Sequence, residues 1–241
     1  SYLKNLGFKI NPYNALLQTS KEIAEYHRLA SNRIPKLDYD CDGVVIKVNR
    51  LDYQKLLGVA SREPRWSIAY KFPASQGITY LEKINVNVGR TGTINPYAIL
   101  KPVNVGGATI RHASLHNEDY IKDKQLLIGD WVIVERAGEV IPHIVKPIPD
   151  RRTGSEKQFK MPTICPSCGE TLVRQKNAAA TYCLNAGCPA QLVRLLEHFV
   201  SKGAMDIEGL GTKLCAQLVE NGLIQDVADL YNLEEQQLFR L

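Results

Sequence analysis

Two short stretches of the chain alternate with a period of two, as strands do. In the first, Val44, Ile46 and Val48 fall on one face, and Gly43, Val45 and Lys47 on the other. In the second, Trp66, Ile68, Tyr70 and Phe72 form an expected core face, leaving Ser67, Ala69 and Lys71 opposite. Each strand thus carries one lysine among small or apolar neighbours. Burying an ammonium is costly unless an anion meets it, so two lysines placed this way predict a shared anionic partner. A nucleotide phosphate lying against the small residues fits. The plain alternative is a lysine that snorkels from a sheet edge into water. Asp42 falls by parity opposite Lys47, unless Gly43 interrupts the pleat.

Around these strands the pattern predicts further elements. Thr19 and Glu22 have capping-box spacing, and Ile23, Tyr26 and Ala30 make an apolar stripe, so a helix is expected over 20–32. Pro73 closes the lysine-bearing unit. From Ile78 the chain turns to short alternating runs broken by glycine: Ile84, Val86 and Val88, then Gly89-Arg90-Thr-Gly92, then Tyr97 to Val105. Gly106-Gly107 reads as a two-residue hairpin turn. Gly129-Asp130 opens Trp131 to Arg136, and Gly138 leads into Val140-Ile141-Pro142. Several short strands at this spacing predict a small closed barrel, with an oligonucleotide-binding (OB) fold first in line. Arg151 to Ser155 reads as a polar linker. Farther on the period becomes helical: Leu192, Leu195, Leu196 and Phe199 form one stripe, Gly209-Leu-Gly211 breaks it, and Leu214 and Leu218 begin another.

Composition narrows the class. Of 241 residues, 44% are hydrophobic and 23% charged, with net charge +5, which is compatible with nucleic acid without establishing it. No stretch approaches the length needed to span a bilayer, and the N-terminus has no signal-peptide core, so no membrane partner is expected. In a cytosolic chain the six cysteines are read as thiols or metal ligands before disulfides. The chain starts without methionine and ends on an unfinished apolar pattern, so a piece of a longer polypeptide is expected.

The sharpest chemical signal is Cys165-Pro-Ser-Cys168 followed by Cys183-Leu-Asn-Ala-Gly-Cys188. A Cys-x-x-Cys knuckle sets two thiolates on one side of a turn. A second pair at this distance closes a tetrahedral S₄ shell, which suits structural Zn²⁺ and leaves no position open for catalysis. A redox dithiol or an iron–sulfur site are the rivals. Cys41 and Cys215 lie in apolar contexts and are expected to be packed thiols. Met205 to Leu214, between two striped helices, reads as a helix–hairpin–helix. Its Gly209 and Gly211 would expose amides at a helix start to a DNA phosphate. A plain helical turn is the alternative.

In this order the motifs resemble the bacterial NAD-dependent DNA ligases. The resemblance runs through Asp42-Gly-Val-Val-Ile-Lys-Val-Asn, Ile68-Ala-Tyr-Lys-Phe-Pro-Ala, Val88-Gly-Arg-Thr-Gly, Ala113-Ser-Leu-His-Asn117, Arg136-Ala-Gly-Glu-Val-Ile-Pro142, the four cysteines, Cys188-Pro-Ala-Gln191 and Met205 to Gly211. It implies a multidomain α+β chain: the C-terminal part of an adenylation (nucleotidyltransferase) domain at 1–75, an OB-fold domain at 76–152, a Cys₄ zinc finger at 153–190, and the start of a helix–hairpin–helix domain at 191–241. The implied reaction moves AMP from NAD onto an enzyme lysine, then to the 5′-phosphate at a nick, before the 3′-hydroxyl displaces AMP. Lys47 and Lys71 match the lysines that contact the nucleotide and its phosphate, where they would stabilise developing charge. Asp42 matches the acidic position linked to Mg²⁺ or Mn²⁺. Arg90 and Arg136 fall in segments expected to face DNA. Arg33 lies near a family arginine, but the spacing to Leu37 differs by one residue.

The departures from the family pattern are specific. Its nucleophilic lysine sits in Lys-x-Asp-Gly, which does not occur here; Lys36-Leu-Asp38-Tyr lacks the glycine. Asn87, Ser114 and His143 stand where glutamine, threonine and another residue are usual. The expected protein is therefore part of a monomeric, cytoplasmic, nucleoid-associated ligase acting on nicked duplex DNA, and this chain alone is not expected to form a lysine–AMP adduct. A non-enzymatic, sequence-independent DNA-binding module is the rival class. An RNA-ligase or capping-enzyme relative accounts for the lysine strands but not for the cysteines followed by Gly-Leu-Gly.

Overall fold

The computed structural model describes residues 2–39, 41–136, 141–176 and 178–239. Two compact units divide the chain, the first running to Ala74 and the second holding Ser75–Arg136 and everything from Ile141. The segment through Gly138 and Val140 lies outside the described residues.

In the first unit, helix α1 spans Ser20–Ser31. The Thr19 hydroxyl accepts from the Glu22 amide at 3.2 Å, while the Glu22 carboxylate reaches back to the Gln18 amide at 2.7 Å. The box is thus half reciprocal: two orphan donors are satisfied, the second being one residue before the cap. Strand β1 (Gly43–Lys47) is followed by helix α2 (Leu51–Leu57), a tight hairpin at 59–64, and strand β2 (Ser67–Lys71). β1 and β2 form an antiparallel two-stranded sheet.

The expected core face of β2 is corrected. Ile68 is 67% exposed and Tyr70 42%, and Val45 on the lysine face is 60% exposed. A two-stranded sheet cannot cover both its own faces, and α1 shields only part of one. Neither Lys47 nor Lys71 is buried, so the desolvation argument for an anion does not apply to them as they stand.

The second unit is built on a closed barrel. Strand β3 (Ser75–Val88) pairs with β4 (Thr93–Val105), β4 with β5 (Ala108–Ser114), and after helix α3 (Glu118–Asp123) strands β6 (Trp131–Arg136) and β7 (His143–Pro147) complete the ring. β6 returns antiparallel to β3, and β7 meets β5 in parallel. The ring order, with a helix between the third and fourth barrel strands, is that of an OB fold. Leu81, Ile84, Ala98, Leu100, Val132, Val134 and Ile144 fill its interior, all buried. Gly106 and Gly107 both take positive φ (56° and 79°), the turn a two-residue hairpin requires.

Arg151–Ser155 is no free linker. Arg152 forks onto the wholly buried Asp130, Nε to Oδ1 at 2.7 Å and Nη2 to Oδ2 at 2.8 Å, and the Leu127 amide donates to the same carboxylate. A buried carboxylate at the mouth of β6 needs such partners.

The cysteine segment follows, with strand β8 (Thr181–Tyr182) pairing onto β4. Helix α4 (Pro189–Val200) starts directly at Cys188, with proline at its first position, and packs on helix α5 (Thr212–Glu220). Leu196, Val200, Cys215, Leu218 and Ile224 are buried between them. Leu195, expected in the stripe, is 41% exposed; Val200 takes the buried place. No helix among the described residues is long and apolar enough to cross a membrane.

Candidate functional site

The register of the small sheet decides which side chains meet. Gly43 stands opposite Lys71, Val45 opposite Ala69, and Lys47 opposite Ser67. Opposed residues share a face, so both lysines project from one side of the sheet, roughly 14 Å apart along the strands. Val45 and small Ala69 lie between them, with Gly43 opposite Lys71 and Ser67 opposite Lys47. A Cβ at Gly43 would sit 2.7 Å from the Tyr70 carbonyl oxygen, so only glycine lets β2 pass this close.

Asp42 departs from its parity. Its carbonyl accepts from the Phe72 amide at 2.9 Å, extending the ladder, while its carboxylate pairs with the Lys71 ammonium rather than standing across from Lys47. It lies just before the strand, where the pleat no longer dictates direction. Lys71 holds the Asp42 carboxyl below the usual carboxylate range. Helix α1 positions β2 from the other side: His27 stacks on Tyr70 at 3.8 Å, and its Nε2 lies 3.0 Å from the Lys71 carbonyl oxygen. His27 escaped sequence reasoning, although its place next to Tyr26 on the apolar stripe was the available signal. A cleft of about 890 Å³ beside β1 is lined by Tyr13, Tyr26, Arg33, Val44 and Ile46, and takes in Lys47 but not Lys71. Arg33 lies over the Tyr13 ring at 5.0 Å.

The cysteine module is the most completely built candidate site. The sulfurs of Cys165, Cys168, Cys183 and Cys188 all lie within 4.8 Å of one another, with Cys165 to Cys188 at 3.9 Å and Cys168 to Cys183 at 3.5 Å. A tetrahedral Zn–S₄ shell needs sulfurs about 3.8 Å apart, so the spacing fits the ion. The knuckle is shaped by Gly169 at φ 75° and by the Cys165 amide donating to the Glu170 carbonyl at 2.7 Å. The Glu170 amide draws the Cys168 thiol down to about 7, whereas burial pushes Cys183 up to about 12. Four thiols in this space cannot all ionise without a cation to share the charge. Cys41 and Cys215 lie outside the cluster; Cys215 is buried, and desolvation raises its thiol.

The expected DNA-facing residues are dispersed over the second unit. Arg90 is exposed at the tip of the β3–β4 turn, with no hydrogen bond or ion pair among the described residues. Arg136 ends β6 opposite Ser75 and is half-buried. Gly209 (φ 79°) and Gly211 precede α5, and no atom lies within 4 Å of a Cβ built at either. No side chain caps α5, so its first amides have no side-chain acceptor among the described residues.

Barrel, four-thiol knuckle and lysine-bearing sheet together define a zinc-finger-bearing OB protein with part of a nucleotide-handling domain. Family models match at each level: the NAD-dependent DNA ligase adenylation domain over residues 1–75, the OB-fold domain of the same ligases over 78–156, and their C4 zinc finger domain over 165–190. The chain belongs to the NAD-dependent DNA ligase family. Curated relatives named DNA ligase agree: one from Halalkalibacterium halodurans is 49% identical over all of this chain and 36% of its own length. One from Rubrobacter xylanophilus is 52% identical over 98% of this chain and 34% of its own, and one from Thermotoga neapolitana 50% over 96% and 34%. The chain thus spans about a third of the length of the curated relatives it matches.

Proposed function

We propose that the chain is the nucleotide-supporting and DNA-holding part of a ligase that seals nicks with AMP from NAD. The observation that carries this is the collinear order of three domains of one family. Lys47 and Lys71, on one face of the sheet, would meet the nucleotide and its phosphate, and Asp42, beside Lys71, would help place Mg²⁺ or Mn²⁺. Cys165, Cys168, Cys183 and Cys188 would hold structural zinc. Arg90, Arg136 and the amides after Gly209 and Gly211 would hold the backbone of nicked duplex DNA. The nucleophilic lysine is not among this chain's motifs. Intact-mass measurement after incubation with NAD and magnesium is expected to show no gain; an adenylyl-sized gain on the chain alone would refute that division of labour.

A second reading concerns the chain by itself. Arg90 and the open start of α5 favour sequence-insensitive binding of duplex without chemistry. Its affinity should fall steeply with salt, because neutralised phosphates release counterions. A salt-independent affinity, or none for nicked duplex, counts against it.

A further inference from the structure

The turn Gly89–Gly92, which joins β3 to β4 and carries Arg90, is not held by the barrel alone. Within the turn the Gly89 amide donates to the Thr93 carbonyl (2.8 Å), which also accepts from Asn95 Nδ2 (3.4 Å), the Gly92 amide donates to the Gly89 carbonyl (3.0 Å), and the Thr91 and Thr93 hydroxyls meet. Across it, the Cys183 amide donates to the Gly92 carbonyl at 2.8 Å, and β8 continues the pairing, Tyr182 opposite Thr93 and Thr181 opposite Ile94. The strand residues flanking the turn, Val88 and Ile94, belong to the same buried cluster as Cys165, Cys183 and Cys188. The floor of the cysteine site is therefore the root of the turn.

Gly92 is shaped for this junction. It adopts φ 79°, and a Cβ there would lie 2.2 Å from the Cys183 carbonyl oxygen and 3.1 Å from Gln191 Nε2. No side chain at 92 is compatible with Cys183 where it stands. Gln191, from α4, meets Cys183 at the same place, donating to its carbonyl at 3.0 Å and to that of Asn185 at 3.1 Å. A second tie lies away from the turn. Arg174 of the cysteine module forks onto Glu118 (3.0 Å) and Asp119 (2.6 Å) at the start of α3.

We propose that the cysteine module is a brace for the Arg90 turn: metal bound at the four thiols fixes Cys183, and Cys183, through Gly92, fixes where Arg90 stands. Gly92 and Gln191 are positioning residues in this scheme, acting on the site through Cys183. The scheme rests on the zinc reading of the cysteines, and the experiment separates the two.

The test follows amide hydrogen exchange of the full chain, zinc content being measured first. On chelation, the amides of Gly89, Gly92 and Cys183 are expected to exchange roughly tenfold faster or more, while Val132 and Val134 in the barrel core keep their protection. Less than one zinc per untreated chain overturns the metal reading and the brace with it. Full zinc with unchanged exchange at Gly89 and Gly92 overturns the brace alone, as does equal loss of protection throughout the barrel. Gly92→Ala should release zinc to a chelator about 10- to 100-fold faster. If that variant fails to fold, Gln191→Ala reads the same coupling, and its exchange at Gly89 should quicken with Val132 unchanged. Wild-type rates in Gln191→Ala refute the proposal.

Discussion

The lysine sheet and the barrel use the same alternation of side chains, and the chain treats them in opposite ways. In the barrel, every inward position of the ring meets another strand, and Leu81, Ala98, Val132, Val134 and Ile144 are sealed from water. In the first unit no described residue is buried, and the alternating apolar positions of β2 stay open. Closure makes the difference. Five strands that return on themselves enclose their inner face, whereas two strands leave both faces needing a partner. Alternation marks which residues share a face; it does not say that the face is covered.

The largest expected break in this contrast lies at the cysteines. Chelation, or Cys165→Ser, should unfold the module around Val88, Ile94 and Met161 while leaving the first unit as it was, because metal binding and folding are one equilibrium in such modules. Circular dichroism with exchange mapping checks this; an intact module without metal breaks the assignment. Next comes the buried charge. Asp130→Ala strips Arg152 and the Leu127 amide of their acceptor and should cost about 3 kcal/mol in a urea melt, whereas Asp42→Asn in the open sheet should cost under about 1 kcal/mol. Comparable costs would erase the distinction. Core truncation sharpens it further: Leu100→Ala should lose about 2–5 kcal/mol, and Val45→Ala no more than about 0.5 kcal/mol.

The smallest effect is electrostatic and confined to the first unit. Because Lys71 depresses the Asp42 carboxyl, the pair's contribution is present above the unfolded carboxylate value of about 3.9 and fades as pH falls through the lower folded one. A carboxyl ¹³C titration of Asp42 should therefore have its midpoint below about 3.9, and Lys71→Met should return it there. A midpoint unmoved by the substitution removes the pair from consideration.

Much of the candidate site was legible beforehand where local chemistry dictates form. The Cys-x-x-Cys spacing announced a four-sulfur cluster because two thiolates on one turn need a second pair to close a shell. Gly106-Gly107 announced a hairpin because both positions require positive φ. The role of Gly92 was not legible: the need for glycine there comes from Cys183, far along the chain, arriving at its Cβ position. Arg152 read as linker because its partner, Asp130, reveals its burial only once the barrel closes.

The sequence by itself determined the strongly periodic elements such as α1 and α4, the four thiols and the family, since periodicity and short-range spacing are properties of neighbouring residues. Tertiary structure alone decided that Lys47 and Lys71 share a face, that Asp42 turns to Lys71, and that the cysteine module grips the Arg90 turn. Each of these depends on strand register or on segments far apart in the chain coming into contact. Register is set by pairing between strands, and no single strand carries that information.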